Sequence, residues 1–280
     1  MPNFARSAIL LLFFVGLNGC DNSAPPGEEH ATAVEEDVAV VVEGSADSCH
    51  LTMGWDPWEP YHYMNPVGEI NGLDVEIVSA IAADADCEVS FERDSWANLL
   101  TRIRDGSVDL ISGATLTPER ESYARFSQPF RKETFALFVR AGERDQFSGA
   151  TLRELIDAGM KVGITEAYIY GDEVRTMQDD PAYSEQFFPA DLGETSAGRM
   201  LDGEIDGFIE DIFVASSMIR RRGLEDDIDT HPVNIGGSND VRLMFSRSSV
   251  DGNLVARFDE SLGHLRESGE YENIRNRYLR

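Results

Sequence analysis

The stretch Val108–Phe130 holds the residue types best suited to chemistry. Val108 to Ile111 is a short apolar run, the pattern of a buried strand. Ser112, Gly113, Thr115 and Thr117 follow, small or hydroxylated. Thr117-Pro118-Glu119 then opens a helical turn, with Thr as N-cap, Pro in the first position and an acid in the first turn. Arg120 stands just beyond. In an open α/β sheet, ligands collect past the carboxyl ends of the strands. Hydroxyls, backbone N–H groups and one guanidinium at such a place suit a carboxylate, which Arg grips through two parallel hydrogen bonds. The alternative on these residues alone is a strand–turn–helix joint with Arg120 as a solvated charge, and both readings stay open.

The elements that must position these residues alternate between strand and helix. Leu51 to Trp55 reads as a strand, followed by an extended loop in which Trp55, Trp58 and Tyr61 crowd around Pro57 and Pro60. Val75, Val78 and Ile81 fall at helical spacing, Val89 to Phe91 is a strand, and Trp96 to Ile103 is an amphipathic helix ended by Gly106. After the central stretch come a strand at Thr134 to Val139, a helix at Leu152 to Ile156 and a strand at Lys161 to Thr165. Asp105-Gly106-Ser107-Val108-Asp109 and Asp202-Gly203-Glu204-Ile205-Asp206 share one pattern, each following a helix and entering a strand. Two halves built alike imply two α/β lobes. One carries Thr115 and Arg120 at its strand end, the other Glu210 and Asp211. Val241 to Phe245 is a further strand. The helices Leu254–Leu265 and Tyr271–Leu279 come too late for a compact second lobe, so the chain is expected to cross back and pack them on the first.

At 280 residues there is room for two domains of ordinary size. The formal net charge of −27, from 24 Lys+Arg against 51 Asp+Glu, argues against a nucleic-acid partner. His30, His50, His62, His231 and His264 are scattered without ligand spacing, so neither a metal nor a cofactor is expected. Residues 1–20 read as a targeting segment: Arg6, an apolar run from Ala8 to Val15, then Leu17-Asn18-Gly19-Cys20. This resembles a bacterial lipobox, which would leave Cys20 as a lipid-bearing N-terminus. An ordinary secretory signal is the alternative. Asp21 resembles an inner-membrane retention signal. Residues 21–47, with Pro25-Pro26-Gly27 and many acids, have the composition of a tether spanning about 30 Å. Cys49 and Cys87 remain, each just before a strand-like run. Neighbouring parallel strands would bring them together in an oxidising compartment, and a disulfide is expected over two thiols.

Three blocks in order, Gly72-Leu73-Asp74-Val75-Glu76-Ile77, Val108 to Arg120 with Phe126-Ser127, and Asp206 to Asp211, carry a resemblance. The chain from about Leu51 onward resembles the family 3 periplasmic solute-binding proteins, the amino-acid-binding components of ABC importers. The resemblance implies a two-lobed α/β clamp, each lobe a mixed sheet flanked by helices. Lobe 1 is expected at 48–138 and 244–280 and lobe 2 at 139–243, with hinge strands near Ala136–Arg140 and Leu243–Ser246. It implies that Arg120 holds a ligand α-carboxylate, helped by the Thr115 hydroxyl and the backbone at Gly113, and that Asp211 takes the α-ammonium from the other lobe. It also implies that Trp58 and Trp96 lie over the ligand and that Asp56 lines the cleft. The Gly-Thr turn usual after the second lobe's first strand is replaced by Ala167-Tyr168, with Tyr168 narrowing the pocket. The implied partners are a small molecule, with an amino acid foremost, and an inner-membrane ABC permease. The implied state is a lipid-anchored periplasmic monomer. Two other functions remain: a dehydratase-like enzyme, against which stands Val214 where an acid would be needed, and a ligand-sensing accessory subunit.

Overall fold

A computed structural model describes residues 49–236 and 239–278. The expected targeting segment, Cys20 and the whole of the tether lie outside the described residues. Strand β1 (Cys49–Trp55) opens the body. A hairpin of β2 (Tyr63–Met64) and β3 (Ile70–Asn71) follows the aromatic loop, then α1 (Leu73–Asp84), β4 (Cys87–Arg93), α2 (Trp96–Asp105), β5 (Leu110–Thr115) and the single turn α3 (Pro118–Glu121). Next come β6 (Ala124–Phe126), β7 (Arg131–Glu133), β8 (Phe135–Arg140), α4 (Leu152–Asp157), β9 (Val162–Thr165), α5 (Asp172–Asp179) and β10 (Phe187–Ala190). Helix α6 (Gly193–Leu201), β11 (Gly207–Asp211), α7 (Ile212–Arg222), β12 (Ile228–Thr230), β13 (Asn239–Ser246), α8 (Gly252–Ser268) and α9 (Glu270–Tyr278) complete it. Among the described residues no helix is long and apolar enough to cross a membrane.

The strands form two mixed sheets, each the centre of one lobe. Lobe 1 has the order β4-β1-β5-β13-β6, with β7 also on β13; lobe 2 has β10-β9-β11-β8-β12. In both, the early strands pair in parallel and the strand that arrives from the other lobe pairs antiparallel, β13 on β5 and β8 on β11. The repeated Asp-Gly pattern has a matching structural job in each lobe. Asp109 Oδ2 accepts the Thr52 backbone N–H at 2.8 Å, and Asp206 Oδ2 accepts that of Lys161 at 2.8 Å. An aspartate just ahead of its own strand thus ties down the neighbouring one, at the middle of β1 and at the entry of β9.

Local chemistry fixes the helix ends. The Ser95 side chain accepts from Asn98 N at the start of α2, and Gly106 ends it in the left-handed region at φ 85°. Thr117 caps α3 by accepting from Arg120 N, with Pro118 in the first turn, as the sequence requires. Strand β5 runs further than its apolar residues suggest. Ser112 to Thr115 remain in the sheet because β13 pairs alongside, with a shift of register between Arg242 and Met244 where Gly113 adopts φ 73°. A Cβ at Gly113 would come within 3.0 Å of the Trp58 ring, so glycine fits both the φ and the space there.

The chain passes between sheets twice, at Thr134 and between β12 and β13. The boundaries expected after 138 and before 244 therefore fall inside β8 and β13. Those residues are committed by pairing: Phe135 already faces Asp211 on β11, and Asn239 faces Glu133 on β7. Helices α8 and α9 return to lobe 1, where Phe258, Leu262, Leu265, Tyr271 and Ile274 share a core with Leu73, Ile77 and Ile81 of α1. A second core in lobe 2 gathers Leu137, Leu155, Val162 and Ile209.

Cys49 and Cys87 are opposite one another in the parallel pair β1/β4 and form a disulfide. It closes a loop with a sequence separation of 38 residues, which constrains the unfolded chain by about 2–4 kcal/mol. Replacing both cysteines with serine is expected to lower the urea-unfolding free energy by that amount; an unchanged midpoint and slope would contradict it.

Candidate ligand-binding cleft

The strand ends of the two sheets face one another across a small cavity of about 20 Å³, nearly filled by the side chains around it. Asp56 and Trp58, from the loop after β1, form one wall, and Trp96 is the first residue of α2. Gly113 and Thr115 come from β5, Arg120 from α3, Glu133 from the end of β7, and Tyr168 from the loop after β9. The expected residues Asp56, Trp58, Trp96, Gly113, Thr115, Arg120 and Tyr168 all line this space. Glu133, which the sequence reading missed, lines it too. Asp211 does not.

Arg120 is 5 % exposed. Its Nη1 donates to the Thr115 carbonyl at 3.0 Å and its Nη2 crosses to the Ala167 carbonyl of lobe 2 at 2.9 Å. Among the described residues no carboxylate forms an ion pair with it. Burial lowers its pKa, opposed mainly by Tyr123 and Glu133. The guanidinium also lies 5.5 Å from the Trp96 ring centre, and Trp96 Nε1 donates to the same Ala167 carbonyl at 3.3 Å. Ala167 reaches this pose at φ 60°, a conformation L-residues other than Asn and Asp seldom take. Ala167 stands where a Gly-Thr turn is usual, and its carbonyl collects two donors from the opposite lobe.

Tyr168 fills the middle of the cleft. Its ring meets Trp58 and Trp96 edge-on, with centroids 5.9 and 5.8 Å away, and its hydroxyl donates to Asp56 Oδ2 at 3.3 Å. Asp56 is buried, and its pKa is raised by desolvation against the pull of His62, whose Nδ1 lies 3.8 Å from Asp56 Oδ1. His62 Nε2 in turn meets Ser112 Oγ at 2.7 Å.

Further ionisable groups are buried nearby, and two of them, Arg131 and Asp74, neutralise each other. Arg131 holds Asp74 through Nε and Nη2, at 2.9 and 3.0 Å, and lies 3.7 Å from the Tyr61 ring centre. Asp74 stays below its usual range, because Arg131 and His62 outweigh its desolvation. No sequence spacing signals this pair, whose members stand 57 positions apart. Glu133 is paired more loosely: its buried Oε1 accepts no hydrogen bond and forms only an ion pair with Arg131 Nη1 at 3.6 Å. Desolvation pushes it up to about 8; Arg131 opposes this, while Asp211, Asp74 and Glu210 add to it. Glu210 also rises to about 8 by desolvation, although its Oε1 accepts Trp58 Nε1 at 3.3 Å and the Asp211 backbone N–H at 2.9 Å.

Asp211, expected to take the ligand's α-ammonium, is held by protein donors on both oxygens. Its Oδ1 accepts Phe213 N, Val214 N and the Tyr61 hydroxyl at 2.9, 3.2 and 3.2 Å, and its Oδ2 accepts Thr134 N at 3.3 Å. It caps α7 and ties the crossing residue Thr134 to both lobes. Val214 is buried one turn into α7, without chemistry of its own.

Two α/β lobes joined by two crossings, with a charged and aromatic cavity at their facing strand ends, define the class of bilobed small-molecule binding proteins. Residues 51–280 match the family described as bacterial extracellular solute-binding proteins, family 3, and the chain belongs to that family. It is 23% identical over 229 residues to a probable histidine-binding protein of Neisseria gonorrhoeae, covering 79% of each chain. It is 24% identical over 224 residues to the arginine-binding periplasmic protein of Mannheimia haemolytica, covering 79% of this chain and 87% of the relative. Among solved structures, a histidine kinase sensor domain with similarity to periplasmic binding proteins superposes with a TM-score of 0.71 at 22% identity. That match covers 83% of this chain and 96% of the other.

The raised acids predict a pH effect whose sign is fixed. A carboxyl whose folded pKa exceeds its unfolded value adds stability below the unfolded value and loses it as pH rises through the folded one. For Glu133 that window runs from its ordinary 4.5 to about 8. Glu133→Gln is therefore expected to raise the calorimetric melting temperature at pH 8.5 and to change it little at pH 4.5. An equal loss at both pH values would mean that the buried carboxylate is satisfied.

Proposed function

We propose that this protein binds an amino acid with a basic side chain outside the cytoplasm and delivers it to an ABC-type permease. It does so as a monomer anchored by lipid at Cys20 and retained at the inner membrane through Asp21. The observation that carries this reading is Arg120, a buried guanidinium facing the cavity whose hydrogen-bond partners are carbonyls and not an acid. A buried charge needs a counter-charge, and a ligand carboxylate supplies it, with the Gly113 backbone and Thr115 beside it.

The rest of the cavity favours positive charge. Asp56 and Glu133 line it, and Glu210 stands behind Trp58. Trp58, Trp96 and Tyr168 offer aromatic faces, against which a cation or planar guanidinium packs favourably. The chain's overall negative charge also raises the local concentration of cationic solutes. Relatives described as arginine- and histidine-binding agree with this choice. The family resemblance to binding proteins, and Val214 in place of an acid, favour binding over turnover. A second reading, ligand sensing for a separate signalling protein, is favoured by the likeness to a kinase sensor domain. It uses the same cleft.

Thermal-shift screening against amino acids and small organic acids is expected to single out arginine, lysine or histidine. Arg120→Ala should then weaken the best ligand by about 2–5 kcal/mol in calorimetry, the cost of breaking a buried charged contact. Unchanged affinity would remove Arg120 from the site.

A further inference from the structure

The turn after β9 reaches across to lobe 1 and meets the groups that a bound amino acid would need. We propose, on the reading of the cleft as an amino-acid site, that the Ala167–Tyr168 turn is an internal stand-in for the ligand. The free clamp closes on this turn, and a ligand enters only by displacing Tyr168.

Each part of the turn occupies a place that the ligand requires. The Ala167 carbonyl accepts Arg120 Nη2 at 2.9 Å, from the guanidinium assigned to a ligand carboxylate, and Trp96 Nε1 at 3.3 Å. The Tyr168 ring lies edge-on to Trp58 and Trp96, with centroids 5.9 and 5.8 Å away, against the two faces open to a ligand side chain. Its hydroxyl donates at 3.3 Å to Oδ2 of Asp56, an acid suited to a cationic tip. Carbonyl, ring and hydroxyl thus imitate a carboxylate, a side chain and its polar end. The space left over, about 20 Å³, holds about one water. Sites for small molecules measure about 300–1,000 Å³. Arginine and this placement of Tyr168 exclude one another.

The same side chain joins the lobes. Tyr168 is half-buried and packs against two lobe 1 clusters, one containing Leu110 and Phe130 and the other Leu99 and Ile111. It also packs against the lobe 2 cluster that contains Phe135 and Tyr170. Only the fraction of molecules in which Tyr168 has withdrawn accepts a ligand, and a ligand shifts the population toward that form. The apparent dissociation constant exceeds the intrinsic one by the inverse of that fraction, about tenfold where a tenth of the molecules are withdrawn. The aromatic face that Tyr168 offers a bound cation is gained only after these contacts are given up.

The test pairs calorimetric titration of the whole protein with L-arginine and small-angle X-ray scattering of the same protein without ligand, for the unaltered chain, Tyr168→Ala and Tyr168→Phe. Scattering is recorded in high salt, which weakens the exposed Glu59–Arg221 ion pair that also bridges the lobes at 3.0 Å. Tyr168→Ala is expected to bind L-arginine at least tenfold more tightly and, when free, to scatter with a larger radius of gyration. Tyr168→Phe, which keeps the ring and loses the Asp56 bond, should fall between the two, and it decides the matter if the alanine variant does not fold. Binding that is no tighter, or a free radius equal to that of the unaltered chain, makes the turn an ordinary wall of the site; the stand-in is then overturned and the amino-acid reading stands. If none of the three binds L-arginine, the basic-amino-acid reading falls and the free radius alone decides: expansion upholds closure on the turn, and an unchanged radius overturns it.

Discussion

A guanidinium buried against carbonyl dipoles alone is an incomplete electrostatic arrangement, and the cleft is arranged around that incompleteness. The protein contains a direct comparison. Arg131 and Arg120 are both buried at the strand ends of lobe 1, 11 positions apart in the chain. Arg131 is sealed by a two-point contact with Asp74 and by the Tyr61 face, which makes it part of the structure. Arg120 reaches instead to Thr115 and across to Ala167. Carbonyls compensate part of its charge, but a carboxylate compensates all of it, so a ligand can compete for that hand where it could not compete for the other.

The backbone places these groups with few residues. Thr134 alone separates β7 of lobe 1 from β8 of lobe 2, and its N–H meets Asp211 while its carbonyl accepts Ile212 N at 3.0 Å. Glu133 stands directly before this crossing, so a change in its charge acts where the two sheets are joined. Ala167 is the counterpart from lobe 2. Its left-handed backbone presents one carbonyl to both Arg120 and Trp96. Strain of this kind, roughly 1–2 kcal/mol, persists where surrounding contacts over-determine it.

Much of this was legible in the sequence because it rests on local rules. Thr117-Pro118 announces α3, Gly106 ends α2, and the twin Asp-Gly patterns mark the entry of a strand in each lobe. The parallel starts at Cys49 and Cys87 anticipate the disulfide. What was not legible depends on distant partners. Asp211 reads as an acid at a strand end, but only the fold brings Tyr61 and Thr134 to it. The Arg131–Asp74 pair has no spacing signal, and Glu133 is distinctive because Arg131 hydrogen-bonds Asp74 and reaches Glu133 only at 3.6 Å. Strand β5 continues past Ile111 because β13 arrives to pair with it, and the lobe crossings fall where pairing ends and not where apolar runs do. A charged Arg-Lys-Glu triplet at 131–133 between apolar strands was the one hint available.

The central claim is that a carboxylate on the ligand completes the environment of Arg120. It is tested most directly by removing that group from the ligand and leaving the protein intact: titrating with L-arginine and with agmatine, its decarboxylated amine, under the same conditions. The account predicts that agmatine binds at least tenfold more weakly, the loss disappearing in the Arg120→Ala protein. Equal affinity of the two compounds for the unaltered protein would contradict it.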